Sequence, residues 1–108
     1  MLTAIAAWAL ALGITPPATA RLDWREIAGY YRCEGAAQTA GLGAEEFAAC
    51  AALYARVKLS HIGLDEAAFE ALPREARAEA NRRAFRALRA WEAANPELVE
   101  RLKALGAR

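Results

Sequence analysis

Cys33 and Cys50 have the most distinctive spacing of any chemically reactive residues in this sequence. Cys33 lies eight residues before Gly41 and Cys50 lies eight residues after Leu42, on either side of a glycine-rich break at residues 41–43. The spacing differs from the C-x-x-C of redox-active pairs and from the C-x-x-C-H of haem attachment. We therefore predict a structural disulfide between Cys33 and Cys50. Two unpaired buried thiols, or a reactive or metal-binding role, are the alternatives.

His61 is the single histidine of the chain, and Ser60 is its single serine. Adjacent residues on a helix point about 100° apart, so Ser60 is badly placed to be activated by His61. On one helix, Cys50 and His61 would lie about 16 Å apart along the axis, which is too far to share a metal ion. We predict no catalytic residue, no cofactor and no metal, and a helix-capping role for His61.

Four aromatic residues, Trp24, Tyr30, Tyr31 and Trp91, offer the material for a small-molecule pocket. An enzymatic or ligand-binding helical domain would use this Tyr/Trp cluster together with His61. However, 30 of the 108 residues are alanine, so bulky apolar side chains are scarce. We therefore expect these aromatic residues to form the core itself.

Positive charge is concentrated in the second half of the chain, at Arg82, Arg83, Arg86 and Arg89. Positions 82, 86 and 89 share one helical face, which predicts a contact surface for an acidic protein partner or an anionic membrane surface. A solvated face with ordinary pairs to residues such as Glu79 is the alternative. A net charge of +1 and the lack of interleaved aromatic residues argue against nucleic acid as a partner.

The elements that must position these residues are helices. Ala, Leu, Glu and Arg dominate, whereas the residues that favour strands are few. Breaks in the pattern predict helices over residues 23–40, 44–62, 65–72 and 74–94, and a last helix that begins at Asn95 and Pro96. We predict an all-α small helical bundle built on a disulfide-pinned helical hairpin, preceded by an N-terminal apolar leader helix.

Helical periodicity also predicts which side chains face the core. For the first hairpin helix, this face includes Trp24, Ile27 and Tyr31. For the later helices, the residues expected to be buried are Phe47, Cys50, Tyr54 and Val57, then Ala84, Phe85, Leu88 and Trp91, then Leu98, Leu102 and Leu105.

Residues 1–20 contain no charged side chain. An apolar run at residues 2–14 is followed by a Pro-Pro break and an Ala-Thr-Ala triplet before Arg21, which is the pattern of a secretory signal peptide. An uncleaved membrane anchor and a buried cytosolic helix are the alternatives, since no basic residue precedes the run. We assign residues 1–20 to a signal peptide or membrane anchor and residues 21–108 to a single small helical domain.

Together these features predict an exported protein, periplasmic or secreted, that acts by binding a partner rather than by catalysis. One alternative is an accessory subunit of a larger membrane complex, anchored in the inner membrane by residues 1–20 and facing the periplasm. The other is the enzymatic or small-molecule-binding domain that uses the Tyr/Trp cluster and His61.

Overall fold

A computed structural model describes residues 23–107, which form five α-helices and no strand. The helices are α1 (Trp24–Thr39), α2 (Ala44–Ser60), α3 (Glu66–Glu70), α4 (Arg74–Ala94) and α5 (Pro96–Gly106). The predicted all-α class is confirmed, and the predicted leader at residues 1–20 lies outside the described residues. None of these five helices is both long enough and apolar enough to span a membrane.

The turn between α1 and α2 is made by glycine. Gly41 has a φ of 76°, in the left-handed region that strains other residues. The N–H groups of Ala40 and Gly41 both donate to the carbonyl oxygen of Ala36, over 2.9 and 3.1 Å, and this ends α1. Glu46 then accepts a 3.2 Å hydrogen bond from the N–H of Gly43, which fixes the start of α2.

α1 and α2 form the predicted antiparallel hairpin. Residues that come later in α1 meet residues that come earlier in α2. Cys33 is bonded to Cys50, the Tyr30 ring lies 5.5 Å from the Tyr54 ring, and Glu26 forms an ion pair with Arg56. These contacts follow one register along both helices.

The connections of the second half follow the predicted breaks. Asp65 caps α3, because its Oδ1 accepts a 2.7 Å hydrogen bond from the N–H of Ala68. Asn95 separates α4 from α5 and stands at the N-cap position of α5, but its side chain makes no capping hydrogen bond there. Its Nδ2 instead donates to the carbonyl oxygen of Trp91 over 2.9 Å, which ties the turn back to α4.

The core lies where α1 meets α2, α4 and α5. It consists of buried apolar and aromatic side chains, flanked by partly buried Leu53, Tyr54, Trp91 and Leu102. The buried members are Ile27, Tyr30, Tyr31, Val57, Leu88 and Val99. The expectation that aromatic residues form the core is confirmed for Tyr30 and Tyr31.

Four large side chains that were expected to face the core are exposed: Trp24, Phe47, Phe85 and Leu105. The prediction is wrong for them because periodicity shows which residues share a face, but not whether another element covers it. The first buried residue of α2 is Val57, so the first half of this helix extends beyond the core. In α5 the buried residue is Val99.

α1 and α5 pack backbone against backbone. A Cβ on Gly35 would overlap the carbonyl oxygen of Lys103, and a Cβ on Gly106 would overlap the carbonyl oxygen of Arg32. Because glycine has no Cβ, the backbones of α1 and α5 approach each other more closely than any larger residue at these two positions would permit. The order of the contacts shows that α5 is antiparallel to α1. The hairpin is thus held to the bundle by α5 on one side.

Candidate binding site between the hairpin helices

The predicted disulfide is confirmed. Cys33 and Cys50 are bonded, with their Cα atoms 5.9 Å apart. The two residues meet because each lies the same number of residues from the turn, and a helix rises about 1.5 Å per residue. Both sulfur atoms are consumed in this bond, so neither cysteine is a nucleophile or a metal ligand.

A groove of about 380 Å³ lies beside the disulfide. We call it the hairpin groove, because nine of its ten lining residues belong to the hairpin and only Arg89 comes from α4. The lining residues are Tyr30, Cys33, Glu34, Ala37, Leu42, Phe47, Cys50, Ala51, Tyr54 and Arg89.

The two ends of the hairpin groove differ in chemistry. The end near the turn is apolar, with Leu42 and Phe47, and Phe47 is 66% exposed. The end near the core contains the hydroxyl groups of Tyr30 and Tyr54 and the guanidinium of Arg89. The hairpin groove therefore offers apolar contact at one end and hydrogen-bond donors at the other.

Arg89 is held in place by a hydrogen-bond chain that begins in the core. The buried Tyr31 hydroxyl donates to Oε2 of Glu92 over 2.9 Å, and Nη1 of Arg89 donates to Oε1 of the same carboxylate over 2.9 Å. The Glu92 side chain is only 17% exposed, whereas that of Arg89 is 65% exposed. Because a guanidinium has five N–H donors, Arg89 retains most of them for a ligand.

The tyrosines of this region act as neutral hydrogen-bonding groups. Burial raises the pKa of Tyr30 above its ordinary value, and the charges of Glu34 and Glu92 raise it further. Burial, followed by the hydrogen bond to Glu92, raises the pKa of Tyr31 in the same way. The hydrogen bond to Glu92 raises the pKa of Arg89, which stays a cation. None of these groups is a base at neutral pH.

The other arginines of the predicted contact surface lie apart from the hairpin groove. Nη2 of Arg82 is 2.7 Å from a carboxylate oxygen of Glu79, and Nη2 of Arg86 is 3.8 Å from its other oxygen. Arg83 is exposed on the same helix. The pairs to Glu79 are those expected of a solvated face. Of the four arginines in the predicted contact surface, Arg89 is the one that lines the hairpin groove.

His61 and Ser60 do not form a catalytic pair. Oγ of Ser60 donates to the carbonyl oxygen of Val57 over 2.6 Å. The His61 ring lies 5.8 Å from the Trp91 ring, and its pKa is lowered by burial, against the opposing charge of Glu92. Within residues 23–107, no group of three or more His, Cys, Asp or Glu side chains is arranged to hold a metal ion.

Several residues of the hairpin groove were missed by sequence reasoning. Tyr54 had a usable signal, because the register that pairs Cys33 with Cys50 also places Tyr54 opposite Tyr30. Glu92 does not line the groove but holds Arg89 there, and its signal was weaker: it lies three residues after Arg89 on the same helix. Phe47 and Leu42 had none, since exposure depends on what the rest of the fold leaves uncovered.

The described residues define an all-α fold with a disulfide-pinned hairpin and an open groove beside the disulfide. No protein-family model, no curated protein and no solved structure matches this chain.

Proposed function

We propose that this protein is exported to an oxidising compartment, the periplasm or the cell exterior, and acts by binding an acidic protein partner through the hairpin groove. The observation that carries the proposal is that one concave surface presents exposed Phe47 at one end and exposed Arg89 at the other. Aromatic residues, including phenylalanine, and arginine are enriched in protein interfaces, and arginine is also enriched among the residues whose removal costs most binding energy.

Two features support export to an oxidising compartment. The Cys33–Cys50 disulfide is of the kind that persists in oxidising compartments. Residues 1–20 have the pattern of a signal peptide. Mass spectrometry of the protein from its native host tests both. We expect an N-terminus at Arg21 and a mass lower by two hydrogens than that of the reduced chain, whereas free thiols would contradict export.

A membrane-anchored accessory subunit is the second candidate, and exposed Trp24 favours it. Trp24 lies close to residues 1–20 in the sequence, its ring is 6.2 Å from that of Trp91, and tryptophan is enriched at the membrane interface. Retention of Met1 in the same mass measurement, with the protein in the membrane fraction, would support the anchor and contradict a cleaved signal peptide.

Site-directed photo-crosslinking in the native host tests the binding surface. Photoreactive p-benzoylphenylalanine at position 51 lies in the hairpin groove, and the matched control carries it at position 78, on the exposed part of α4. We expect a discrete protein adduct from position 51 alone, and its loss when Phe47→Ala is added. The same adduct from both positions, or an adduct that survives Phe47→Ala, would contradict the proposal.

A further inference from the structure

We infer that the hairpin groove recognises a partner segment with a large apolar side chain beside a carboxylate, and that Arg89 binds the carboxylate. This inference rests on the proposed function, because it names the chemistry of the partner at the same surface. It gives Arg89 a role different from that of Arg82, Arg83 and Arg86, which would contribute only diffuse charge.

Arg89 is prepared to bind an anion before a partner arrives. Its Nη1 is fixed on Glu92, and Glu92 is fixed by the buried hydroxyl of Tyr31. A side chain that is already ordered loses less conformational entropy when it binds. Its planar guanidinium also matches the two oxygens of a carboxylate. Tyr31 and Glu92 are therefore positioning residues for Arg89.

The apolar part of the ligand belongs at the end of the groove near the turn. Leu42, Phe47 and Ala37 offer contact there without a hydrogen-bonding side chain. The volume of about 380 Å³ is near the lower limit of ligand pockets, roughly 300–1,000 Å³. This space suits one or two side chains of a short segment.

Glu34 sets the orientation of the ligand. It lines the groove from α1, and its charge acts on the Tyr30 hydroxyl, as does that of Arg89. An anion in the groove is attracted by Arg89 and repelled by Glu34, so the carboxylate must lie on the Arg89 side. We expect Glu34→Gln to tighten the binding of an anionic probe, because it removes the repulsion.

A matched pair of fluorescent probes tests this chemistry on the oxidised protein from its native host. 1-Anilinonaphthalene-8-sulfonate carries an anion, and N-phenyl-1-naphthylamine has the same ring system without it. We expect the anionic probe to bind about tenfold more tightly, the equivalent of one charge-assisted hydrogen bond. Arg89→Gln should abolish this difference and leave the neutral probe unaffected. Arg82→Gln is the control and should change neither affinity.

The outcomes distinguish failure of the hairpin groove as a binding surface from failure of the role given to Arg89. If neither probe binds, the hairpin groove is not a binding surface and the proposed function fails with the inference. If both bind equally and Arg89→Gln changes nothing, the groove stands and the role of Arg89 is overturned. Tyr31→Phe should reduce the preference for the anionic probe without affecting the neutral one, which a purely structural role would not do.

Competition identifies the source of the carboxylate. We expect the capped peptide Leu-Leu-Asp-Leu to displace the anionic probe at a concentration about tenfold lower than its Asn counterpart. Displacement should become equal in the Arg89→Gln variant. If decanoate displaces the probe and neither peptide does, the ligand is a small amphiphile and the assignment to a protein segment is overturned.

Discussion

The hydroxyl of Tyr31 donates a 2.9 Å hydrogen bond to Glu92, 61 positions further along the chain. The bond joins α1 to α4 across the core, and the second oxygen of Glu92 holds Arg89 at the hairpin groove. A buried residue thus determines the position of an exposed one. Stability and ligand recognition are expected to change together when this chain of hydrogen bonds is broken.

Tyr31→Phe tests the stability part of this link. The substitution keeps the ring and leaves one oxygen of Glu92 without its donor, so we expect the free energy of unfolding to fall by about 1 kcal/mol. Urea denaturation followed by circular dichroism measures it. The control is Tyr54→Phe, which removes a hydroxyl that makes no hydrogen bond within residues 23–107. Equal losses in the two variants would contradict the role given to Glu92.

Reduction of the disulfide should loosen the first half of α2 more than the rest of the protein. Val57 and Leu59 are the buried residues of α2, so the helical turns before them are held mainly by the bond to Cys33. A closed loop of about 18 residues contributes roughly 3 kcal/mol in the chain-entropy model. We expect a matching fall in stability in the Cys33→Ser, Cys50→Ser double variant.

Hydrogen exchange locates the effect of this reduction. Amides of residues 46–53 should exchange faster in the double variant than those of α5, which packs on α1 through its own contacts. Treatment of the wild type with dithiothreitol should reproduce the pattern, and the same treatment of the double variant is the control. Uniform acceleration along the chain would mean that the disulfide supports the whole bundle rather than the hairpin tip.

Two glycines of α1 should respond to alanine in opposite directions. At Gly35 a Cβ would overlap the backbone of Lys103, so Gly35→Ala must separate α1 from α5, and we expect a loss of about 1–3 kcal/mol or more. At Gly29 the nearest atom to a Cβ would be the flexible end of Leu53, at 3.4 Å. Gly29→Ala should be neutral or stabilising by up to about 1 kcal/mol, because alanine favours the helix.

Thermal denaturation of the two variants and of Gly106→Ala checks this pair. Gly106→Ala should behave like Gly35→Ala, since its Cβ would overlap the carbonyl oxygen of Arg32 on the same interface. Similar melting temperatures for Gly35→Ala and Gly29→Ala would show that the two helices separate at little cost.

The disulfide, Gly35 and Phe47 show which features of the fold could be predicted from the sequence and which could not. The disulfide was predictable because helical rise and distance from a turn fix the heights of Cys33 and Cys50. The close approach of α5 at Gly35 could not be predicted from the sequence. It depends on which helix packs against α1, and periodicity does not show which helices contact each other. Phe47 illustrates the same limit, since it shares a helical face with Val57 and yet nothing within residues 23–107 covers it fully.

His61 should make stability fall at acidic pH. Burial holds its pKa in the folded protein below the ordinary value of about 6.5. In the unfolded chain His61 therefore takes up a proton at a higher pH than in the folded protein. The contribution of neutral His61 to the free energy of unfolding is fully present above about pH 6.5. It is lost as the pH falls through the folded-state pKa.

Urea denaturation between about pH 8 and about pH 5, compared in the wild type and His61→Gln, isolates this contribution from that of the carboxylates. The wild type should lose more stability than the variant as the pH falls, because glutamine cannot titrate. Glu92 opposes the effect by favouring the charged imidazole, so the difference between the two proteins should grow in Glu92→Gln backgrounds. Identical pH profiles for the wild type and His61→Gln would mean that the imidazole charges as readily beside Trp91 as it does in water.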